Sequence, residues 1–226
     1  MCGRFSFVTT LEKVAKDLGT HLESDGDLLQ SYNVAPTQKS YVITDKEPHL
    51  LQAFYWGLVP HWSKTPKLSG QLINARKETV LTKPSFRESV RQRRCLVVVD
   101  SFYEWKQSAH GKQPYRIRME DNSTMCFAGI WDSCVINQKQ VFSFAILTQE
   151  ADEQMATIHN RMPVFLPVEK DRNQWLGKMS EQELAHFLAP LRTCPLTIAA
   201  VSPSVNSVKN NGPHLHTVYV PPPTLF

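Results

Sequence analysis

The sequence predicts an α+β fold: a single β-rich domain, mostly antiparallel, with helices at its edges. Three observations carry this expectation. Strand-like apolar runs fill the middle of the chain. Helix signatures cluster towards its ends. The connections between runs are too short for the many crossover helices that parallel pairing would need. The 226 residues suit one large domain or two small ones, and a chain of that size buries roughly 70% of its unfolded surface without staples. No internal repeat or linker-like stretch divides it, so one domain over 1–226 is expected, with a Pro-rich extended tail at about 220–226.

The elements follow in order. Thr9-x-x-Glu12 has the form of a capping box, and Leu11, Val14, Ala15 and Leu18 fall on one helical face behind it. Ser40–Thr44 and Leu50–Trp56 read as strands joined by a polar turn. Cys95–Asp100 (CLVVVD) reads as a buried strand, and Phe102–Lys106 continues it after a bend. Pro114–Met119, Thr124–Asp132 and Val141–Thr148 are successive strands separated by turn signals. Glu150–Ile158 is a helix candidate, and Pro167 suits the first turn of another helix running through Trp175. Ser180-x-x-Glu183 is a second capping box, opening a helix to about Ala189, and Leu196–Val201 is a last strand.

Composition narrows the function classes. At 42% hydrophobic and 20% charged residues, the chain is globular rather than disordered. A net charge of +4 permits a nucleic-acid partner without demanding one. The five cysteines are an odd number with no C-x-x-C pair, and Cys126 and Cys134 have no histidine pair near them in sequence. Cys95 and Cys126 sit in apolar runs and read as core thiols, which points to a reducing, cytoplasmic compartment. No run approaches the ~20 apolar residues of a membrane span, and the N-terminus lacks the apolar segment of a signal peptide. His214 and His216 stand two apart without further ligands, so no metal and no cofactor is expected.

The chain opens MCGRF. Removal of Met1 would leave a cysteine with a free α-amine, a 1,2-aminothiol. An α-amine of pKa about 7.7–8.0 is partly neutral near pH 7.5. A neutral amine attacks an aldehyde to give a Schiff base, onto which the thiol closes as a five-membered thiazolidine. No internal residue can do this, because its nitrogen is an amide. The plain alternative is a frayed terminus that happens to contain cysteine. Gly3 would allow close backbone approach, Arg4 offers a fork for phosphate or carboxylate, and Phe5 and Phe7 would tie the terminus into a core as a strand.

Three further stretches could join it. In Leu72-Ile73-Asn74-Ala75-Arg76, Asn74 could orient a reactive group and Arg76 could hold a phosphate, although an Asn leading a helix would also read as a cap. In Asp100-Ser101-Phe102-Tyr103-Glu104-Trp105, a carboxylate lies among aromatics. Burial there would raise its pKa and suit it to general-acid work, and Trp105 could stack on a base; a solvent-facing edge Glu is the alternative. In Ile158-His159-Asn160-Arg161-Met162-Pro163, His159 could shuttle protons or simply cap, and Arg161 is another phosphate candidate. An aminothiol, an amide, an acid and an imidazole with neighbouring arginines together describe aldehyde capture on a phosphodiester.

With these motifs the chain resembles the SRAP family (SOS-response-associated peptidase), the abasic-site processing proteins. The resemblance spans nearly the whole length: MCGRF at 1–5, YNVAP at 32–36, WGLVP with Trp62, INAR with Glu78, FYEW at 102–105, KQPY at 112–115, HNRMP at 159–163 and SVNSVKNNGP at 204–213. It implies a barrel-like core with a positively charged groove, and a covalent thiazolidine between Cys2 and the ring-opened sugar of an abasic site in single-stranded DNA. Self-removal of residues ahead of the cysteine accounts for the peptidase in the name. It implies that Asn74 holds the cysteine and sugar, Glu104 is the acid/base, and His159 assists proton transfer. Arg4, Arg76 and Arg161 would hold flanking phosphates, Trp62, Trp105 and Pro36 would wedge or stack on bases, and Asn33 would brace the pocket wall. The implied partner is single-stranded DNA, single-strand/double-strand junctions included, bound by a monomer. Lys83-Pro84 departs from the family's usual basic arrangement and leaves open which of Lys83 and Arg87 touches DNA. A cysteine peptidase and a non-covalent single-strand binder are the competing readings.

Overall fold

A computed structural model describes residues 2–19, 21–24, 30–108 and 111–220; Met1 and the proline run at 221–223 lie outside them. The strands are, in chain order, β1 (Phe5–Phe7), β2 (Glu23–Ser24), β3 (Ser31–Val34), β4 (Lys39–Thr44), β5 (Leu50–Trp56), β6 (Asn74–Arg76) and β7 (Arg94–Val99). They continue as β8 (Ser101–Ser108), β9 (Gly111–Met119), β10 (Met125–Ile136), β11 (Lys139–Glu150), β12 (Arg161–Pro163) and β13 (Leu196–Ala200). The helices are α1 (Leu11–Leu18), α2 (Arg87–Gln92), α3 (Glu153–Ala156), α4 (Glu169–Leu176) and α5 (Glu181–Leu188). The α+β expectation is met.

The core is a closed five-strand barrel. β5, β4, β7, β10 and β11 are antiparallel neighbours, and β11 returns to β5 through a short parallel pairing, Ser143 opposite Tyr55 and Phe144 opposite Trp56. Closure removes the free edges a long sheet would expose. The β10–β11 hairpin turns at Asn137 and Gln138, both at positive φ (50° and 62°), as a tight two-residue hairpin turn requires. A second sheet, in the order β13-β9-β8-β1-β3, sets the N-terminal strand between β8 and β3.

The unbroken apolar runs of the barrel strands follow from burial on both faces. Cys95, Val97 and Val99 of β7 join Phe5, Trp56, Phe102, Phe127 and Phe144 in a core that also contains Cys2. The alternate residues Leu96 and Val98 face a second core with Val14, Leu18, Trp175 and Phe187, contributed by the outer helices. All five cysteines are unpaired and buried. Arg94, 3% exposed, is satisfied by carbonyls: Nε donates to Trp175 (2.7 Å) and Nη1 to Val90 and Arg91 (2.9 and 2.8 Å). It thus ties α2 and α4 to β7.

Some boundaries differ from expectation. The first helix is capped by Thr10, which accepts from Lys13 N–H, rather than by Thr9, whose side chain is turned inward. The second capping box, Ser180 with Glu183, forms as expected. Glu150 ends β11, and the helix candidate over Glu150–Ile158 shrinks to α3 behind an Asp152 cap, because the ladder to β12 holds Thr148–Glu150 extended. Pro167 precedes α4 by two residues. The β7–β8 bend changes sheets: β8 leaves the barrel and pairs with β1 and β9.

Candidate active site

Each side chain of the site is placed by a different element. Cys2 leads into β1, whose Phe5, Ser6 and Phe7 are all fully buried. Ser6 Oγ hydrogen-bonds Ser101 Oγ at 2.7 Å, and Val8 N–H donates to the Asp100 carboxylate, so the middle and the C-terminal end of the strand are pinned at the start of β8. From Cys2 onward the chain is not frayed. Asn74 opens β6, which pairs in parallel with β11, Asn74 opposite Ile146; it is a strand residue, not a helix cap. Its Nδ2 donates to the Cys2 carbonyl at 2.8 Å. Its Oδ1 is buried and has no hydrogen-bond partner among the described residues.

Glu104 lies mid-strand in β8 opposite Tyr115 and is 2% exposed, so it is no edge carboxylate facing water. Burial pushes its carboxyl above the usual range, with the charge of nearby His159 among the opposing influences. Burial likewise drives the Cys2 thiol far up, and the Glu104 charge pushes it the same way. A buried carboxyl with a raised pKa keeps its proton to higher pH than an exposed one, which suits it to general-acid work.

His159 follows α3. Its Nδ1 accepts from Arg161 N–H at 2.9 Å and lies 3.2 Å from the Arg161 carbonyl, so the backbone of Arg161 fixes the ring. Two clefts meet at this residue. One, of about 660 Å³, is lined by Arg76, Glu150, Ala151, Ala156, His159, Asn160 and Arg161. The other, of about 450 Å³, is lined by Glu104, Trp105, Lys112, His159 and Asn206.

The remaining candidates divide. Arg76 is exposed in the larger cleft, and its guanidinium makes no hydrogen bond or ion pair among the described residues. Arg161 lines the same cleft but holds Glu78 bidentately (2.8 and 3.0 Å), with Nη2 also on the Thr148 carbonyl at 2.8 Å. Arg4 and Asn33 line neither cleft. The Arg4 guanidinium donates to Asn33 Oδ1 and to the Val205 carbonyl, both at 2.8 Å. Asn33 Nδ2 reaches the carbonyls of Val205, Ser207 and Asn210 (3.3, 3.0 and 2.8 Å). Together they clamp the C-terminal segment against the N-terminal strand. Trp62, 52% exposed, stands on the loop between β5 and β6, held there by His61, whose N–H and ring both reach Asp132 Oδ2 at 3.0 Å. Pro36 packs beside the same loop at Gly70. Lys83 and Arg87 are both exposed, outside both clefts. Among the described residues no three His, Cys, Asp or Glu cluster as metal ligands would.

A family model for SOS response associated peptidase (SRAP) matches residues 1–208. The chain belongs to the SRAP family. Among its relatives is the abasic site processing protein YoqW of Bacillus subtilis (strain 168), 35% identical over 95% of this chain and 98% of that protein. The abasic site processing protein YedK of Escherichia coli (strain K12) is 31% identical over 95% and 98%. HMCES of Rattus norvegicus, also named an abasic site processing protein, is 30% identical over 81% of this chain and 63% of its own. A crystal structure of a protein from Bacteroides thetaiotaomicron superposes with a TM-score of 0.83 at 25% identity, covering 97% of this chain and all of that one.

Within this SRAP site, the motifs contained residues whose contacts the sequence did not reveal. Glu78 is the partner of Arg161, 83 residues away. Lys112 lines the smaller cleft from β9. Asn206 meets Trp105 from 101 residues away. Presence in a motif was the only signal these three carried.

Proposed function

We propose that this SRAP protein processes abasic sites in single-stranded DNA by covalent capture through Cys2. The observation that carries the reading is the seating of Cys2: its carbonyl is held by Asn74, the charge of the buried acid Glu104 acts on its thiol, and Glu104 in turn feels His159, the residue at which two clefts meet. The names of its relatives supply the substrate class.

In the proposed sequence, Met1 is removed and the free amine of Cys2 attacks the C1′ aldehyde of the ring-opened sugar. Glu104 protonates the departing oxygen, and water leaves as the Schiff base forms. The thiol then adds to the imine carbon, its proton passing to the nitrogen, and the thiazolidine closes. Asn74 Oδ1, a buried acceptor awaiting a donor, would receive the Cys2 amine or a sugar hydroxyl. His159, which lines both clefts, would stabilise the sugar oxygen. Arg76 would take a flanking phosphate. Arg161 would do so only by sharing or releasing Glu78. Arg4 and Asn33 would act through the segment they clamp, and Trp62, Pro36 and Trp105 through stacking outside the covalent centre.

A peptidase using Cys2 in trans would need a thiolate, and a thiol whose pKa is driven far up by burial disfavours it. A non-covalent binder would leave the Asn74–Cys2 contact without use.

The test is the intact mass after incubation with a short single-stranded oligonucleotide carrying one abasic site. The expected mass is protein lacking Met1, plus oligonucleotide, less one water. Unchanged protein, or a Cys2→Ala variant that still forms a stable adduct, refutes the reading.

A further inference from the structure

We infer that Asn206 is a positioning residue for DNA binding: it fixes the indole of Trp105 as the stacking wall of the smaller cleft. The inference rests on the reading that Trp105 stacks against a base. Three observations carry it, and each comes from the geometry of the C-terminal segment rather than from the covalent centre.

The first is a direct bond. Trp105 Nε1 donates to Asn206 Oδ1 at 2.7 Å, and both residues line the same cleft of about 450 Å³. An indole has one donor and no acceptor, so this single bond selects one of its two flipped orientations. The second is packing. Trp105 leans on the small core of Tyr103, Val201, Val205 and Leu215 while still contributing to the cleft wall, so one side of the ring is backed by protein. The third is the stiffness of the segment that carries Asn206. Asn206 ends a 3₁₀ turn, Pro203–Asn206, entered through a Ser202 cap. Arg4 holds that turn at the Val205 carbonyl, Asn33 holds it at Val205, Ser207 and Asn210, and Asn210 Nδ2 returns to the Ser204 carbonyl at 2.7 Å.

The arrangement gives Arg4 and Asn33 a purpose that their distance from the clefts otherwise hides. They brace the turn, the turn presents Asn206, and Asn206 sets the ring. A flat aromatic held before the DNA arrives loses less rotamer freedom on binding than a loose one. The positioning effect is therefore on affinity for the strand, and not on the chemistry at Cys2.

The experiment is a double-mutant cycle on the full chain, read as affinity for a single-stranded oligonucleotide without an abasic site, so that no cross-link forms. Trp105→Ala is expected to weaken binding at least 5-fold, since stacking is worth about 1–3 kcal/mol per base and 1.4 kcal/mol is tenfold. Asn206→Ala is expected to weaken it roughly 2- to 10-fold, the range of a net hydrogen bond. Trp105→Phe keeps an aromatic face but removes the donor, so Asn206→Ala added to it should cost nothing further. A second readout is spectroscopic: the Trp105 indole N–H resonance, identified by its loss in Trp105→Phe, should move upfield in Asn206→Ala while the other four indoles stay in place. Additive effects in the cycle, or an indole resonance unmoved by Asn206→Ala, overturn the inference. So does Asn206→Ala binding like the wild type while Trp105→Ala binds weakly, and in that case the stacking reading stands. If Trp105→Ala itself binds like the wild type, the stacking reading fails first and takes the inference with it.

Discussion

Asn74→Ala isolates what holding Cys2 contributes to the proposed reaction. The structure supplies the terms. The substitution deletes one hydrogen bond of 2.8 Å and leaves the Cys2 carbonyl, on a residue with no exposed surface, without its donor. A buried acceptor stripped of its partner costs about 1–3 kcal/mol, which is roughly 5- to 150-fold when it falls on the reacting geometry. The same change removes Asn74 Oδ1, itself buried and without a partner among the described residues. Global stability should therefore fall by less than this, by about 1 kcal/mol. Asn74 lines neither cleft, so affinity for intact single strands should stay within twofold. The assay is single-turnover cross-linking to an abasic oligonucleotide, resolved on a denaturing gel, beside anisotropy with the undamaged oligonucleotide. A cross-linking rate at least fivefold lower with unchanged affinity is expected. Asn74→Asp should be slower still, because a carboxylate facing the Cys2 carbonyl repels it. A rate within threefold of wild type in Asn74→Ala, or an affinity loss matching the rate loss, would refute the idea that Asn74 acts by placing Cys2.

The other predictions use the same geometry. Burial raises the pKa of Glu104, so its contribution to stability is present below the ordinary carboxylate range and lost as pH rises through the raised value. Glu104→Gln should therefore raise the melting temperature relative to wild type at pH 8 but not at pH 4, while slowing cross-linking by ~100-fold or more; a lower melting temperature at pH 8 would contradict this. Arg76→Ala should flatten the salt dependence of single-strand binding by about 0.7 in log–log slope, one phosphate's share. Glu78→Gln, by releasing the fork of Arg161, should steepen it by a similar amount; a slope unmoved by both substitutions would remove these arginines from the phosphate path. Gly129 sits mid-β10, where an added Cβ would stand 2.7 Å from Val97 Cγ2 and 2.8 Å from Cys95 Sγ. Gly129→Ala should cost about 1–3 kcal/mol by overpacking, visible as a lower denaturant midpoint with unchanged slope.

Much of the fold could be read locally. The CLVVVD run, the paired strands at Ser40–Thr44 and Leu50–Trp56, and the Ser180–Glu183 capping box all announce themselves, because apolar runs and cap chemistry are properties of neighbouring residues. Short strands did not. β3, β6 and β12 have too few residues to show a period; β6 and β12 exist because the long strand β11 offers both a partner, and β3 pairs with the three-residue β1. The helix expected over Glu150–Ile158 was lost to the same ladder.

The site divides along the same line. The sequence by itself determined the chemical inventory: a second-position cysteine that only N-terminal exposure could turn into an aminothiol, and an amide, acid and imidazole in recognisable motifs. Tertiary structure decided which of these groups meet. Cys2, Asn74, Glu104 and His159 come from four elements, and they converge because β1 is inserted between β8 and β3 while β6 pairs with β11. Tertiary structure also redistributed the arginines. Arg4 braces a turn 201 residues away, Arg161 faces Glu78, and Arg76 is the one of the three whose guanidinium makes no bond among the described residues. Residue type fixes what a side chain can do, but burial and partners set whether its charge is already engaged, and those are properties of the folded chain alone.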